Sequence, residues 1–178
     1  MDWSKAKNII IAALLVVNLT IGGLLLSQSA AQRQQMRQAA ADTKVFLEKQ
    51  GMQVNAAVPE KAEKMPVLFV QLQRTSSQEG APQSYKGYPI LVEGSAVDFE
   101  VSGSGQQAAR TITASKALLK LYARLSREGS VAGKSIDQVE LVYLLTADRT
   151  SYAAQDTAIP AWRIEVSGKT YTVNAYEE

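Results

Sequence analysis

The stretch "AWRIEVSGKTYTVNAY", residues 161–176, predicts a β-hairpin that organises the C-terminal part of the chain. Apolar side chains recur at every second position on both sides of a turn at Gly168, which is typical of strands with one buried face. These residues are Trp162, Ile164 and Val166 before the turn, and Tyr171, Val173 and Ala175 after it. Either two-residue turn around Gly168 keeps both sets on one face, because the two registers differ by two residues. Trp162 is therefore expected in the core.

A helix and a strand are predicted upstream of this hairpin. The helix spans Ala114–Glu128, with Thr113 as its N-cap and Gly129 as its stop. Its apolar face consists of Leu118, Leu121, Tyr122 and Leu125, which recur at helical spacing. The sequence "DQVELVYLL", residues 137–145, predicts a strand, so a helix precedes a group of strands here.

The first part of the domain repeats this order more loosely. A helix is predicted at residues 30–50 and ends at Gly51, and Met52–Val58 and Val67–Leu72 are predicted strands. The pair Gly94-Ser95 then predicts a second hairpin. The residues that it would pair are Val92 with Val97, and Ile90 with Phe99.

The two halves resemble one another in layout. "FLEKQGMQV" followed by "MPVLFVQL" and "ARLSREGSV" followed by "DQVELVYLL" both place a loop between a helix that ends at Gly and an apolar strand. We therefore expect an α+β domain at residues 52–178, with a weak repeat whose units span about 30–103 and 111–178. Each unit would lay one helix on a small antiparallel sheet.

An apolar segment, residues 9–26, precedes this domain and predicts a transmembrane helix. A helix of this length spans roughly 27 Å, close to a hydrocarbon core of about 30 Å. A signal peptide is the competing interpretation, with Lys5 and Lys7 as its basic region and small residues at 29–31 as its cleavage site. The apolar core is longer than the usual signal-peptide core of about 7–15 residues, which favours a retained anchor.

The anchor sets the expected topology. Basic residues are nearly balanced on its two sides, but the long polar remainder follows it, so residues 1–8 are expected in the cytoplasm and the C-terminal domain outside it. Residues 27–51 would form a juxtamembrane helix. One face of the anchor carries a polar and a small residue, a combination that lets membrane helices approach and hydrogen-bond. We predict that this face, Ile11, Leu15, Asn18, Gly22 and Leu25, binds a partner helix.

Composition excludes several kinds of chemistry. The chain has no Cys and no His, so it cannot build a Ser-His-Asp triad, a Cys-His pair or a Cys/His zinc site by itself. A net charge of +2, with no basic run interleaved with aromatic residues, gives no reason to expect a nucleic-acid partner. "GSVAGKS", residues 129–135, has three residues between its glycines where a phosphate-binding loop needs four, so no cofactor is expected.

Paired carboxylates offer the remaining catalytic hypothesis. Asp98 and Glu100 could serve in glycoside cleavage, which uses two acidic groups on either side of the scissile bond. On an alternating strand both lie on the polar face, and a solvated pair there is the simpler interpretation.

The two ends of the chain resemble the YycI family, whose members are membrane-anchored regulators of the YycFG (WalRK) two-component system of Gram-positive bacteria. The similarity lies in "MDWSK" at residues 1–5, Lys7-Asn8, and Asn18 within the apolar run. It continues in "PAWRI" at residues 160–164 and "VNA" at 173–175. The resemblance implies a short cytoplasmic tail, one membrane helix and an extracytoplasmic α+β domain without catalytic activity. This chain is shorter than a typical member, which leaves open which extracytoplasmic surface meets the kinase.

The implied function is regulation of a sensor histidine kinase of the YycG/WalK type, together with a YycH-like protein, at the cell membrane. Two other functions stay open. The chain could be a tethered or secreted module that binds peptides or cell-wall fragments, or an anchored wall hydrolase that uses Asp98 and Glu100.

Overall fold

The computed structural model describes residues 14–15, 17–19, 31, 34–73, 83–93, 98–129, 131–146 and 155–176. The chain divides into two compact units, Met1–Gln38 and Ala39–Glu178. In the first unit, residues 14–15, 17–19, 31 and 34–38 are helical. The second unit contains the sheet and the pocket described below.

The predicted fold class, with a transmembrane helix at its N-terminus, is wrong for this structure. Each helix among the described residues is too short or too polar to cross a membrane. A spanning helix needs about 20 predominantly apolar residues. Helix α1, residues 34–49, carries five charged side chains, and helix α2, Ala114–Arg127, has 14 residues. Most of the predicted span, residues 9–26, lies outside the described residues.

A large mixed sheet forms the framework of the second unit. Its main path is β4 (Ser84–Tyr85), β5 (Tyr88–Glu93), β8 (Ser135–Thr146), β9 (Gln155–Val166), β3 (Leu68–Gln73) and β6 (Asp98–Ser104). Strand β1 (Gln53–Val54) pairs with β8, and β10 (Lys169–Asn174) pairs with β9. A separate ribbon is formed by β2 (Lys64–Met65) and β7 (Ala109–Arg110).

The prediction of two separate helix-plus-antiparallel-sheet units is also wrong. Strands from both halves alternate in one sheet: β5 pairs with β8, and β3 pairs with β9. The pairings of β1 and β5 with β8 are parallel. The hairpin predicted at Gly94-Ser95 does not form a ladder, since β5 and β6 lie near opposite ends of the sheet. Strand β5 is apolar on both faces at Ile90–Val92, and such a strand is better buried beside β8 than at an edge.

The C-terminal hairpin is confirmed. Val166 pairs with Lys169 across Ser167-Gly168, and both turn residues have positive φ, 50° and 76°. Positive φ at both central positions is the geometry of a type I′ turn, in which Gly is favoured because it lacks a Cβ. Trp162 faces Val173 across the ladder and is 1% exposed. The predicted core position of Trp162 is therefore correct.

Helix α2 covers the same face of the sheet as Trp162. Its buried residues recur at helical spacing and include Leu118, Leu121 and Leu125. The Thr113 side chain accepts a hydrogen bond from the Lys116 backbone N–H, which confirms the predicted N-cap. The Trp162 Nε1–H donates to the Ile112 carbonyl oxygen at 3.0 Å, so the start of α2 is joined to the centre of β9.

Replacing Trp162 with Phe should destabilise the full-length chain by about 2 kcal/mol, because it leaves a cavity and removes the donor to a buried carbonyl. Chemical denaturation followed by circular dichroism measures this. Leu119→Ala is the matched control, since Leu119 is 41% exposed on α2 and its loss should change stability by less than about 0.5 kcal/mol. Equal stability of the two variants would contradict the central role of Trp162.

Candidate binding pocket

Strand β8 has a stretch of edge without a ladder partner in the described part of the chain. On this edge β1 pairs with Ser135 and Ile136, and β5 pairs from Tyr143 onward. Residues 137–142 lie between these two pairings and have no strand partner on this edge among the described residues. On its other edge, β8 pairs with β9 along most of its length. The gap is a break within the sheet, flanked by strands at both ends.

A pocket of about 510 Å³ lies at this gap. Pockets of this size accommodate a small molecule or several side chains of a peptide. Three groups of residues line it: the segment before β2, the first residue of β5, and the middle of β8 and β9. They are Pro59, Glu60, Lys61, Glu63, Tyr88, Val139, Glu140, Leu141 and Trp162.

The floor of the pocket is apolar. Val139, Leu141 and Trp162 lie on one face of the sheet, since Leu141 and Trp162 are cross-strand partners and Val139 is two residues from Leu141. Glu140 lies between them and its side chain belongs to the opposite face, where it forms an ion pair with Arg163 at 3.0 Å. A pocket that touches three consecutive residues of a strand reaches the backbone edge as well as the side chains.

An irregular segment, residues 57–63, forms the roof and is held at both ends. At the first end, the backbone N–H groups of Asn55 and Ala56 both donate to the Ile136 carbonyl. At the other end, the Thr111 N–H donates to the Glu63 carbonyl at 2.8 Å, and the Glu63 N–H donates to Thr111 Oγ1 at 3.0 Å. Thr111 itself is 3% exposed, so the anchor is buried. Residues 57–63 therefore cross the pocket between two segments that are each fixed by hydrogen bonds.

Tyr88 connects the roof to the sheet. Its hydroxyl donates a hydrogen bond to the Glu63 carboxylate. This bond, assisted by burial and by the negative charge of Glu63, raises the pKa of Tyr88 from 10.0 to about 12. Because the raised pKa favours the neutral phenol, the bond stabilises the folded chain fully below about pH 10 and is lost as the pH rises through about 12.

The residues of the predicted helix-binding face are not part of this pocket. Leu15 and Asn18 lie in helical residues and are exposed. Ile11, Gly22 and Leu25 lie outside the described residues. The structure therefore does not test the face as a set, and its role stays a prediction.

The carboxylates considered for glycoside cleavage are also elsewhere. Asp98 and Glu100 lie on β6, opposite Gln73 and Gln71 of β3, and Glu100 is exposed. Glu100 does not line the pocket. Within the described residues, His, Cys, Asp and Glu side chains do not assemble into a group of three or more that could hold a metal ion.

The alternating apolar pattern predicts Trp162 as core, but no sequence pattern predicts the charged rim of the pocket, formed by Glu60, Lys61 and Glu63. Residues 59–66 lie between two predicted strands, and nothing in the chain order indicates that Tyr88 meets Glu63. The sequence clue is Pro59, which has no backbone N–H to donate and lies three residues after Ala56, the last residue of this segment that bonds to β8. The chain matches no protein-family model, and no curated protein matches it.

Replacing Glu63 with Gln should lower the pKa of Tyr88 from about 12 toward 10.0, because the amide is a weaker acceptor and carries no charge. Ultraviolet titration of the seven tyrosines would then show one phenol moving to lower pH. In Tyr88→Phe the same late phenol should be missing. Glu60→Gln, a change at the same rim, is the control and should leave the curve unchanged. An unshifted curve for Glu63→Gln would refute the bond.

Proposed function

We propose that this chain is a non-catalytic regulatory protein that acts by binding a partner protein through the pocket beside β8. The proposal rests on one observation: an open apolar pocket of about 510 Å³ lies beside a stretch of strand edge that has no partner among the described residues. Such an edge presents backbone donors and acceptors that another chain can complete. The apolar floor supplies the burial that stabilises a complex.

The partner that we propose is a sensor histidine kinase of the YycG/WalK type, with a YycH-like protein as a companion. The resemblance of the two chain ends to the YycI family supports this choice. The matching segment at residues 160–164 is part of β9, and its Trp162 contributes to the pocket floor. We propose that the domain acts outside the cytoplasm, at the membrane where such a kinase resides.

Regulation of this kind requires a difference in affinity. A binding protein changes the output of a two-state kinase only by the ratio of its affinities for the two signalling states. An open pocket can provide that ratio if its target segment is accessible in one state and covered in the other. No group on the kinase needs to be chemically changed.

A second function is favoured by the size of the pocket. A volume of about 510 Å³ lies within the range of small-ligand sites, so a peptide or cell-wall fragment is an alternative occupant. In that case the chain would be a binding module whose ligand is not the kinase. Purified muropeptides that bind with micromolar affinity, in the absence of any kinase contact in cells, would favour this alternative.

A photo-crosslinking amino acid at Lys61 should capture the kinase in native membranes, because Lys61 is an exposed residue at the rim of the pocket. The same amino acid at Lys120, which is exposed on α2, is the matched control and should capture far less. Mass spectrometry of the crosslinked product identifies the captured protein. Equal capture from the two positions, or capture of no kinase from Lys61, would contradict the proposal.

A further inference from the structure

We infer that β5 and β6 pair with one another in a second arrangement of the domain, and that Gln83 prevents this pairing in the first. The first arrangement, in which the two strands share no ladder among the described residues, is called open. The second is called paired. This inference goes beyond the proposed function, since it does not depend on which partner occupies the pocket.

Gln83 connects the two ends of the sheet. The Ile90 backbone N–H of β5 donates to the Gln83 carbonyl oxygen at 2.8 Å. The Gln83 side-chain amide in turn donates to the Phe99 carbonyl oxygen of β6 at 2.7 Å. The main path of the sheet therefore begins and ends within the reach of one side chain, although β4 and β6 are its outermost strands.

Ile90 and Phe99 are the residues that the sequence pattern pairs in a β5–β6 hairpin. In a hydrogen-bonded antiparallel pair, two opposite residues exchange both of their N–H···O bonds. In the open arrangement, the N–H of Ile90 and the carbonyl of Phe99 are both bonded to Gln83 instead. Gln83 thus occupies the place that a direct bond between Ile90 and Phe99 would take.

The hydrogen bonds of these two groups are equal in number in the two arrangements. In the paired arrangement the Ile90 N–H donates directly to the Phe99 carbonyl, so neither group loses its partner. Gln83 is exposed, and its own polar atoms can bond to water after it is released. Because the exchange of one hydrogen bond for another changes the free energy little, the amide of Gln83 is sufficient to determine which arrangement is favoured.

Neither strand has to turn over to reach the other. Ile90 is 6% exposed and Phe99 is 8% exposed, and both side chains belong to the same buried core. Four residues connect Glu93, the end of β5, to Asp98, the start of β6. A connection of this length is common between paired antiparallel strands.

The short strand β4 can keep its own ladder in the paired arrangement. That ladder involves only Tyr88 and Pro89 of β5. The bond from Ile90 to Gln83 lies beyond these pairs and is the one that is exchanged. Tyr88 also lines the pocket, so movement of β5 toward β6 would alter the pocket through Tyr88.

Disulfide trapping in the full-length chain tests the paired arrangement, because the chain contains no cysteine of its own. With Ile90 opposite Phe99, residues 91 and 98 are also opposite one another, and cysteines at opposite positions of neighbouring strands can form a disulfide. A chain that carries Leu91→Cys and Asp98→Cys should therefore crosslink under mild oxidation. Leu91→Cys with Ser102→Cys, on the same two strands but out of register, is the control and should not crosslink.

Variants at Gln83 identify the residue that controls pairing. Gln83→Ala removes the donor to Phe99 and should speed crosslinking between positions 91 and 98 by about fivefold. Gln83→Glu keeps the size of the side chain but cannot donate, so it should act in the same direction. Ser84→Ala, at an exposed position of β4, is the matched control and should leave the rate unchanged.

Circular dichroism verifies that each variant is folded before its crosslinking rate is compared. Three results would overturn the inference: equal rates with and without the Gln83 amide, no crosslink between positions 91 and 98 in any folded variant, or equally fast crosslinking of the control pair. Capture of a partner from Lys61 is a separate measurement, so failure of the proposed function leaves this test unaffected.

Discussion

The antiparallel pairing of β8 with β9 is the constraint on which the rest of the domain depends. The pairing runs from Ile136 opposite Val166 to Leu145 opposite Ala158, with one irregularity between Ile136 and Gln138. Each outer edge of this pair is shared by two further strands, β1 and β5 on β8, and β10 and β3 on β9. A slip of β9 by one residue would move Trp162, Ile164 and Val166 from the buried face to the opposite face of the sheet.

The pocket exists because two kinds of structure cover the same face of this pair. Helix α2 packs its buried residues against the sheet, and its start is joined to Trp162 through the Ile112 carbonyl. Beside Val139 and Leu141 the cover is instead the irregular segment at residues 57–63. A helix fills the space above a sheet with a regular row of side chains, whereas a short segment held only at its ends leaves a volume between its anchors. The unpaired stretch of β8 lies at this volume.

Two of the carboxylates that line the pocket have identified partners. Glu140 is compensated by Arg163 on the far face of the sheet, and Glu63 accepts a hydrogen bond from Tyr88. The Tyr88 bond also positions the roof relative to β5, so the same carboxylate shapes the pocket and contributes to its charge. These two carboxylates are therefore held in fixed orientations, and groups that are oriented in advance lower the ordering cost of any binding event.

Local patterns in the sequence were sufficient for the elements whose partners are close in the chain. The helix at 114–127, its cap at Thr113 and the hairpin through Gly168 follow from spacing and turn chemistry, because the interactions that form them are local. The pairing of β5 with β8 joins strands that are about fifty residues apart, and burial of Ile90 and Leu145 outweighed the turn signal at Gly94-Ser95. The bond between Tyr88 and Glu63, and the gap between β1 and β5, likewise arise only when the sheet assembles. The expected membrane helix rested on the length and hydropathy of residues 9–26, most of which lie outside the described residues.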